Sequence, residues 1–176
     1  MEISFRPLAE ADVPQIVRWL RDPDVERWWW DVGEKSDEEL TEQWTRRAVS
    51  PSGRTDRYVI VVDGVDLGII QTAVLDAYPA YAAEVGVANA AGVDVFIGDA
   101  GWRGRGLGTA LIRAFIEEIV FSMPGIETCT IDPEPENTRA IRCYEKVGFR
   151  HVRTYHSEED DVDTYLMRLE REVFSA

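Results

Sequence analysis

A glycine-rich turn is the segment of this 176-residue chain that most clearly could bind a ligand. Its residues are Arg103, Gly104, Arg105, Gly106, Leu107, Gly108 and Thr109, between a predicted strand and a predicted helix. The first N–H groups of a helix have no partner within it and lie at its positive end, so such a turn can hold a pyrophosphate. It is neither a Walker A loop nor a GxGxxG dinucleotide fingerprint, and a tight strand–helix connection without a ligand is the alternative.

Apolar periodicity predicts the elements that position this turn. The predicted helices cover about 10–21, a short segment from Asp22-Pro23, 37–49, about 105–121 and 137–147. The predicted strands lie near 2–6, 58–62, 65–74, 93–97, 126–131, 149–156 and 162–170. The segment from Asp76 to Gly92 has no clear periodicity and is predicted to be a long loop. The mixed order, without repeats or a linker, predicts one α+β domain over residues 1–176.

Local signals support three of these boundaries. Ser36 and Glu39 fit a capping box at a helix start. Asp63-Gly64 predicts a tight turn between two antiparallel strands. Gly148 is suited to end the helix predicted over 137–147.

A second motif, from Asp132 to Phe149, reads DPEPENTRAIRCYEKVGF. Together with the glycine-rich turn it resembles two ordered motifs of the GNAT superfamily, R/Q-x-x-G-x-G/A and N-x-x-A-x-x-x-Y-x-x-x-G-F. The narrower resemblance is to the aminoglycoside 6′-N-acetyltransferases, which share D-P-x-P-x-N-x-R-A-I-R-C-Y-E-K-x-G-F. Trp19-Leu20 and the segment from Val25 to Trp29 are similar to that group's W-L…V-x-x-W-W segment. Only the loop predicted at 76–92 departs from the group, being shorter.

This resemblance implies a GNAT fold, with a mixed, mostly antiparallel sheet flanked by helices. Its two central strands, near 93–97 and 126–131, would splay to admit CoA. It also implies acetyl-CoA as cosubstrate and direct transfer, in a ternary complex, to the 6′ amine of an aminoglycoside. The residues that it assigns to acetyl-CoA are Val95, Phe96, Ile97, Arg103, Gly104, Arg105, Gly106, Leu107, Gly108, Thr109 and Asn137.

Two residues match catalytic positions of the superfamily. An aliphatic amine is protonated at neutral pH, and a carboxylate that accepts its proton prepares it for attack. Asp94 fits this role, because it interrupts an apolar strand and needs a partner or a cleft there; an outward-facing strand residue is the alternative. Tyr144 matches the tyrosine that protonates departing CoA, and a helix residue packed against the sheet is its alternative.

A further set of residues is predicted to contact the cationic substrate. These are Trp28, Trp29, Gln71, Tyr78, Tyr81, Glu84, Asp94 and Asp132. Asp132 follows a strand end and can accept hydrogen bonds from ammonium groups, or else cap its loop. Trp28 and Trp29 can stack on sugar rings, or else pack in the core. His151 and His156 have no recognisable partners and are predicted to be surface strand residues.

Composition limits the classes of partner. With 19 basic and 33 acidic residues the formal charge is −14, which favours cationic partners and disfavours nucleic acid, although acidity that serves only solubility is the alternative. The two cysteines have no metal-type spacing, and neither a secretory signal nor a membrane span is present, so we expect a cytoplasmic protein without a metal. Monomer and homodimer both remain open.

Two other functions also remain open. The first is a GNAT enzyme for another amine, such as a siderophore-pathway lysine derivative or a polyamine. The second is a non-catalytic acetyl-CoA sensor, which the presence of both Asp94 and Tyr144 disfavours.

Overall fold

The structure is a computed structural model that describes residues 1–29, 32–49, 54–158 and 161–174. Its helices are α1 (Val13–Leu20), α2 (Pro23–Glu26), α3 (Asp37–Val49), α4 (Pro79–Val85), α5 (Leu107–Glu118), α6 (Thr138–Val147) and α7 (Arg171–Phe174). Its strands are β1 (Ile3–Pro7), β2 (Thr55–Val62), β3 (Val65–Val74), β4 (Ala90–Ile97), β5 (Thr128–Ile131), β6 (Arg150–Ser157) and β7 (Val162–Glu170). Short 3-10 turns lie at Glu10–Asp12, Leu75–Ala77, Ala100–Trp102 and Val120–Ser122.

The seven strands form one sheet in the order β1-β2-β3-β4-β5-β7-β6. The β1–β2, β5–β7 and β6–β7 pairs are antiparallel, and the β4–β5 pair is parallel. This arrangement confirms the predicted GNAT fold with its mixed, mostly antiparallel sheet.

The parallel ladder between β4 and β5 is short. Among the described residues it covers only Ala90–Gly92 against Thr128–Thr130, whereas β4 continues to Ile97. The end of pairing after Gly92 is the feature expected of two central strands that splay.

The chain forms two compact units, which are interleaved along the sequence. The first comprises Met1–Gln71 and Val95–Arg105, and the second comprises Thr72–Asp94 and Gly106–Ala176. The prediction of a single domain stays a prediction.

The core of the first unit is rich in aromatic side chains. In α1 the spacing of Val13, Ile16, Val17 and Leu20 places all four side chains in this core, as their periodicity predicts. Trp29 lies 6.4 Å from Trp44 and 4.8 Å from Phe96 between ring centroids. These side chains bury the apolar face of the N-terminal helices.

A smaller core in the second unit holds α4 against strands. Its buried members are Leu75, Val85, Ala90 and Leu166, and the partly buried Tyr81 and Tyr155 pack on them. This core determines where the side chains of α4 lie.

Two local sequence signals are confirmed. Ser36 N donates to Glu39 Oε2 at 2.7 Å and Glu39 N donates to Ser36 Oγ at 3.2 Å, which is the predicted capping box. Asp63 and Gly64 have φ values of +49° and +79°, the left-handed conformation of a tight hairpin turn.

The prediction of a long loop over 76–92 is wrong. This segment contains most of the Leu75–Ala77 turn, all of α4 and the start of β4. Pro79 occupies the first turn of α4, and Gly86 ends it with a φ of +67°. These start and stop signals are present in the sequence, but a helix of seven residues rich in alanine shows no apolar periodicity.

No described helix combines the length and the apolar character needed to cross a membrane.

Candidate active site

Strand β4 carries Asp94 in the second unit. The preceding residue, Val93, is buried, and the Asp94 side chain is half-buried. A carboxylate in this position is partly removed from water, so neighbouring groups govern its energy more than they would at an exposed site.

Helix α6 carries Tyr144, the second predicted catalytic residue. The side chain of Asn137 caps α6 by accepting a hydrogen bond from Ala140 N at 3.2 Å, and Gly148 ends the helix as predicted. Tyr144 is only 8% exposed. Burial raises the pKa of its phenol, and the negative charges of Asp94 and Asp132 raise it further. The phenol therefore keeps its proton well above neutral pH.

A second phenol, that of Tyr81 on α4, lies beside Asp132. Tyr81 Oη donates a hydrogen bond to Asp132 Oδ2 at 2.7 Å. Burial raises the pKa of Tyr81, and the charges of Asp132 and then Asp94 add to the effect. The sequence predicts that Tyr81 contacts the substrate directly. Its hydrogen bond to Asp132 gives it a second role, which is to orient that carboxylate.

Asp94, Asp132, Tyr81 and Tyr144 form what we call the acid–phenol cluster. Tyr81 is hydrogen-bonded to Asp132, and Asp94 and Asp132 each follow the last pair of the β4–β5 ladder, Gly92 and Thr130, by two residues. The charges of both carboxylates raise the pKa of both phenols, and all four residues belong to the second unit. The carboxylates can accept hydrogen bonds and protons from a cation, and each phenol can donate a proton. The cluster is thus equipped for acid–base chemistry on an amine.

The glycine-rich turn enters α5 at Gly106. This residue has a φ of +81° and caps α5 without a side-chain hydrogen bond, and the first turn of the helix contains no acidic residue. An added Cβ at Gly106 would meet no described atom within 4 Å, so the space before the helix is open. The first N–H groups of this 12-residue helix have no partner within the helix and lie at its positive end, so they fit an anion such as a pyrophosphate.

Gly108 allows α5 and α6 to approach each other closely. A Cβ there would lie 3.0 Å from Cys143 Sγ, which also lies 3.5 Å from Thr109 Oγ1. The Cys143 contact thus helps to position the first turn of α5.

In the first unit, the side chain of Arg103, a predicted acetyl-CoA residue, forms hydrogen bonds with other groups of the protein. The side chain is 8% exposed, and the guanidinium donates to Ile97 O, Gly98 O and Asp22 Oδ1, each at 2.8 Å. A contact between Arg103 and acetyl-CoA is therefore expected from the backbone. Gly104 has a φ of +75°, and Arg105 is exposed.

The other predicted acetyl-CoA residues of the first unit lie on β4. The Phe96 side chain is buried in the core, and those of Val95 and Ile97 are half-buried. These residues are predicted to contact the cosubstrate through backbone groups. Packing of their side chains in the core is compatible with such contacts.

The predicted substrate residues of the first unit have different surroundings. Trp29 is 4% exposed and packs in the core, which is the alternative that the sequence left open. Trp28 is half-buried, with the Arg27 guanidinium 4.5 Å from its ring centroid. Gln71 is buried and its Oε1 accepts from Arg57 Nε at 3.1 Å.

The remaining two predicted substrate residues lie near α4. Glu84 accepts from Ser157 Oγ at 3.4 Å through Oε2 and from Arg153 through its backbone oxygen. Tyr78 is half-buried and precedes α4.

The prediction that the two histidines lack partners is wrong. His151 stacks on Tyr165 at 4.0 Å between ring centroids. His156 Nδ1 lies 3.1 Å from Asp163 Oδ1, and this hydrogen bond raises the histidine pKa. The prediction that both are surface residues of a strand is confirmed.

Across the described ranges no group of three or more His, Cys, Asp or Glu side chains could hold a metal ion.

Comparisons with known proteins identify relatives. Residues 9–157 match the family model described as an acetyltransferase (GNAT) domain. The chain is 31% identical over 156 residues to an aminoglycoside N(6′)-acetyltransferase type 1 of Klebsiella pneumoniae, covering 86% of this chain and 76% of that protein. A crystal structure of AAC(6′)-Ib in complex with coenzyme A and kanamycin superposes with a TM-score of 0.86 at 27% identity, covering 99% of this chain and 98% of that one. A spermidine N-acetyltransferase of Vibrio cholerae, at 16% identity over 99% and 98% of the two chains, shares the fold with a TM-score of 0.77.

The contact between Gly108 and Cys143 can be tested by a double-mutant cycle. We expect Gly108→Ala to be less favourable in the wild-type background than in Cys143→Ala, because removing the sulfur leaves room for the new Cβ. The coupling should be roughly 0.5–3 kcal/mol in the free energy of unfolding, the range for residues in contact. Urea denaturation of the four proteins measures it. Additive effects would show that α5 and α6 are not in close contact here.

Proposed function

Because the chain belongs to the aminoglycoside 6′-N-acetyltransferase group of the GNAT family, we propose that it transfers the acetyl group of acetyl-CoA to the 6′ amine of an aminoglycoside. The observation that carries this proposal is the acid–phenol cluster, which combines two proton-accepting carboxylates with two proton-donating phenols. Transfer is direct, in a ternary complex. Burial raises the pKa of both cysteine thiols, so neither Cys129 nor Cys143 is suited to carry the acyl group as a thiolate nucleophile.

The two carboxylates of the cluster suit a polycation. An aminoglycoside carries several ammonium groups, and hydrogen bonds from such groups to carboxylates are among the stronger ones in proteins. The formal charge of −14 adds a long-range attraction that raises the local concentration of cations. Asp132, oriented by Tyr81, binds the substrate, and Asp94 acts on the reacting amine.

Asp94 prepares the nucleophile. The 6′ ammonium must lose a proton before its nitrogen has a lone pair, and the Asp94 carboxylate accepts that proton, either directly or through a water molecule. Tyr144 Oη holds a proton that it can give to the leaving thiolate, since its raised pKa keeps it protonated at neutral pH. The first ammonium proton thus passes to Asp94, the thiolate takes the proton of Tyr144, and the second proton that the nitrogen loses as the amide forms restores the phenol.

The glycine-rich turn and α5 hold the cosubstrate. Acetyl-CoA supplies an activated acyl group. The N–H groups from Gly106 to Thr109 bind its pyrophosphate, for which the uncapped helix start and the open space at Gly106 are suited. Asn137, whose Oδ1 caps α6, keeps its amide NH₂ as a polar group for the same ligand. Gly104 and Arg105 precede this helix start in the chain, and Val95, Phe96 and Ile97 are proposed to bind the pantetheine arm through their backbone.

The proposal predicts selectivity among amines. With acetyl-CoA in excess, the enzyme should release free CoA thiol far faster with kanamycin than with spermidine or lysine. Of these three amines, only the aminoglycoside presents amino groups on a rigid ring framework to both carboxylates. The assay measures thiol release for each amine at matched concentrations. Turnover with spermidine or lysine but not kanamycin would assign the enzyme to another amine. CoA binding without turnover on any amine would assign it to an acetyl-CoA sensor.

Asp94→Asn tests the proposed base. Asparagine is nearly isosteric with aspartate but cannot take the proton, so kcat with kanamycin should fall by roughly 10²-fold or more while the affinity for acetyl-CoA is unchanged. Steady-state kinetics and calorimetry measure the two quantities.

The matched control is Asp163→Asn, which removes an aspartate from β7 that contacts His156 outside the cluster. Its kcat should equal that of the wild type. Tyr144→Phe should also lower kcat, because the proton donor is lost while the ring remains. Wild-type turnover in both Asp94→Asn and Tyr144→Phe would refute the catalytic assignment.

A further inference from the structure

The guanidinium of Arg103 connects two segments that are far apart in sequence. It donates to the carbonyl oxygens of Ile97 and Gly98 and to Asp22 Oδ1, each at 2.8 Å, and its Nη1 lies 3.3 Å from Asp24 Oδ2. The Arg103 side chain is 8% exposed and that of Asp22 is 27% exposed. All five residues lie in the first unit. The contact therefore joins the α1–α2 junction to the turn that starts at Gly98.

Arg103 closes this turn on itself. The turn leaves β4 at Ile97 and reaches Arg103 through the Ala100–Trp102 3-10 turn, and the guanidinium reaches back to the first two carbonyls. Two further hydrogen bonds fix its start, because Gly98 N and Asp99 N donate to Leu67 O at 2.7 and 3.1 Å. The backbone between Ile97 and Arg103 is thus held at both ends.

Asp22 holds Arg103 in the orientation that this closure needs. The Arg103 hydrogen bond lowers the pKa of Asp22, so the carboxylate stays charged at neutral pH. Asp22 also caps α2, its Oδ1 accepting from Asp24 N at 3.0 Å, which fixes the carboxylate relative to the helix. A carboxylate whose position is fixed by the helix cap restricts the guanidinium more than a mobile, solvent-exposed carboxylate would.

A second contact joins the same two segments. Gly98 lies against the indole of Trp19, where an added Cβ would be 2.1 Å from Cγ. Trp19 precedes Asp22 by three residues, and its carbonyl accepts a hydrogen bond from Asp22 N at 3.1 Å. The α1–α2 junction thus touches the turn at its beginning through Trp19 and at its end through Asp22.

We propose that Asp22 is a positioning residue for acetyl-CoA binding, which acts by holding Arg103 and so ordering the backbone from Gly98 to Arg105 before the ligand arrives. The inference rests on the proposed function, because that backbone leads into the glycines expected to face the pyrophosphate. In this proposal Asp22 acts through Arg103 and not by contact with the ligand. A turn that is ordered in advance loses less conformational entropy on binding, so its ligand binds more tightly.

The chain offers a closely matched control in the Arg6–Asp12 pair of the same unit. Arg6 also contacts two carboxylates, with Asp12 Oδ1 at 2.7 Å and Asp66 Oδ2 at 2.6 Å. Asp12 also accepts a backbone N–H, from Ala9 at 2.9 Å. Both arginines thus contact two carboxylates, one of which also accepts a backbone N–H, but the Arg6 side chain is more exposed, at 39% against 8%, and Arg6 lies outside the glycine-rich turn.

Calorimetric titration with CoA, which involves no turnover, tests the inference on full-length protein. Asp22→Asn keeps the helix cap and removes the charge, and Asp22→Ser keeps a cap but is too short to reach Arg103. We expect the Kd for CoA to rise roughly 3- to 10-fold, more for serine than for asparagine, as is usual for residues that act through others. The KM for acetyl-CoA should rise in parallel, with kcat unchanged. Asp12→Asn should leave the Kd at its wild-type value.

Amide hydrogen exchange of the ligand-free proteins gives a second readout. Exchange from Gly98 to Arg105 should be faster in both Asp22 variants than in the wild type and in Asp12→Asn. Arg103→Lys, which keeps the charge but cannot bridge three acceptors, should behave like Asp22→Ser and replaces it if that variant does not fold.

A wild-type Kd and wild-type exchange in the Asp22 variants would overturn the inference and leave the proposed function intact. Equal weakening by Asp12→Asn would also overturn it, because the effect would then come from general stability. A wild-type protein that does not bind CoA would overturn the proposed function and this inference with it.

Discussion

The proposed chemistry depends on two carboxylates, Asp94 and Asp132, that act on the phenols of the partly buried Tyr81 and the buried Tyr144. Asp94 and Asp132 both raise the pKa of Tyr81 and of Tyr144. Two negative charges held near each other in a partly buried place favour a cation between or beside them. The same charges keep each phenol protonated, so the features that attract an ammonium group also preserve the proton donors. In the proposed mechanism, recognition of the substrate charge and proton transfer thus depend on the same two carboxylates.

The sheet brings these groups together through different elements. Asp94 lies on β4 just after its ladder with β5 ends, and Asp132 follows the last residue of β5. Tyr144 lies on α6, which begins at the cap formed by Asn137 and ends at Gly148. Tyr81 comes from the short helix α4, held by the small core around Leu75 and Leu166. The parallel ladder ends at Gly92 and Thr130, so Asp94 and Asp132 both lie just beyond its last paired residues.

Local signals explain why much of the fold could be predicted from the sequence. A capping box, an Asp-Gly turn and apolar periodicity each depend on residues close in sequence. The roles of Ser36 and Asp63 and the apolar face of α1 can therefore be predicted without knowledge of tertiary contacts. Asp94 is predicted from its position in an apolar strand and from the resemblance, and Tyr144 from the resemblance. The charge of Asp94 is among the causes that raise the pKa of Tyr144. Their catalytic roles stay predictions until turnover is measured.

Other features depend on contacts that no local pattern encodes. Arg103 and Asp22 are 81 residues apart, so the sequence shows an arginine in a motif and does not reveal the aspartate that holds it. Trp29 was predicted as a sugar-stacking residue or a core residue, and only its packing on Trp44 and Phe96 distinguishes the two. Tyr81 lay in a segment predicted as a loop, because α4 is too short to show periodicity. Its hydrogen bond to Asp132 therefore came from the structure alone.

The most direct test of the account compares the acetylation of neomycin and paromomycin by mass spectrometry. These aminoglycosides share a ring framework and differ at the 6′ position, which is an amine in neomycin and a hydroxyl in paromomycin, so charge and shape change little. If the cluster aligns the 6′ nitrogen for attack, neomycin gains one acetyl group at that position, whereas paromomycin binds and reacts poorly because its other amines lie outside the reactive geometry. Equal acetylation of both compounds, or acetylation of neither, would contradict the account.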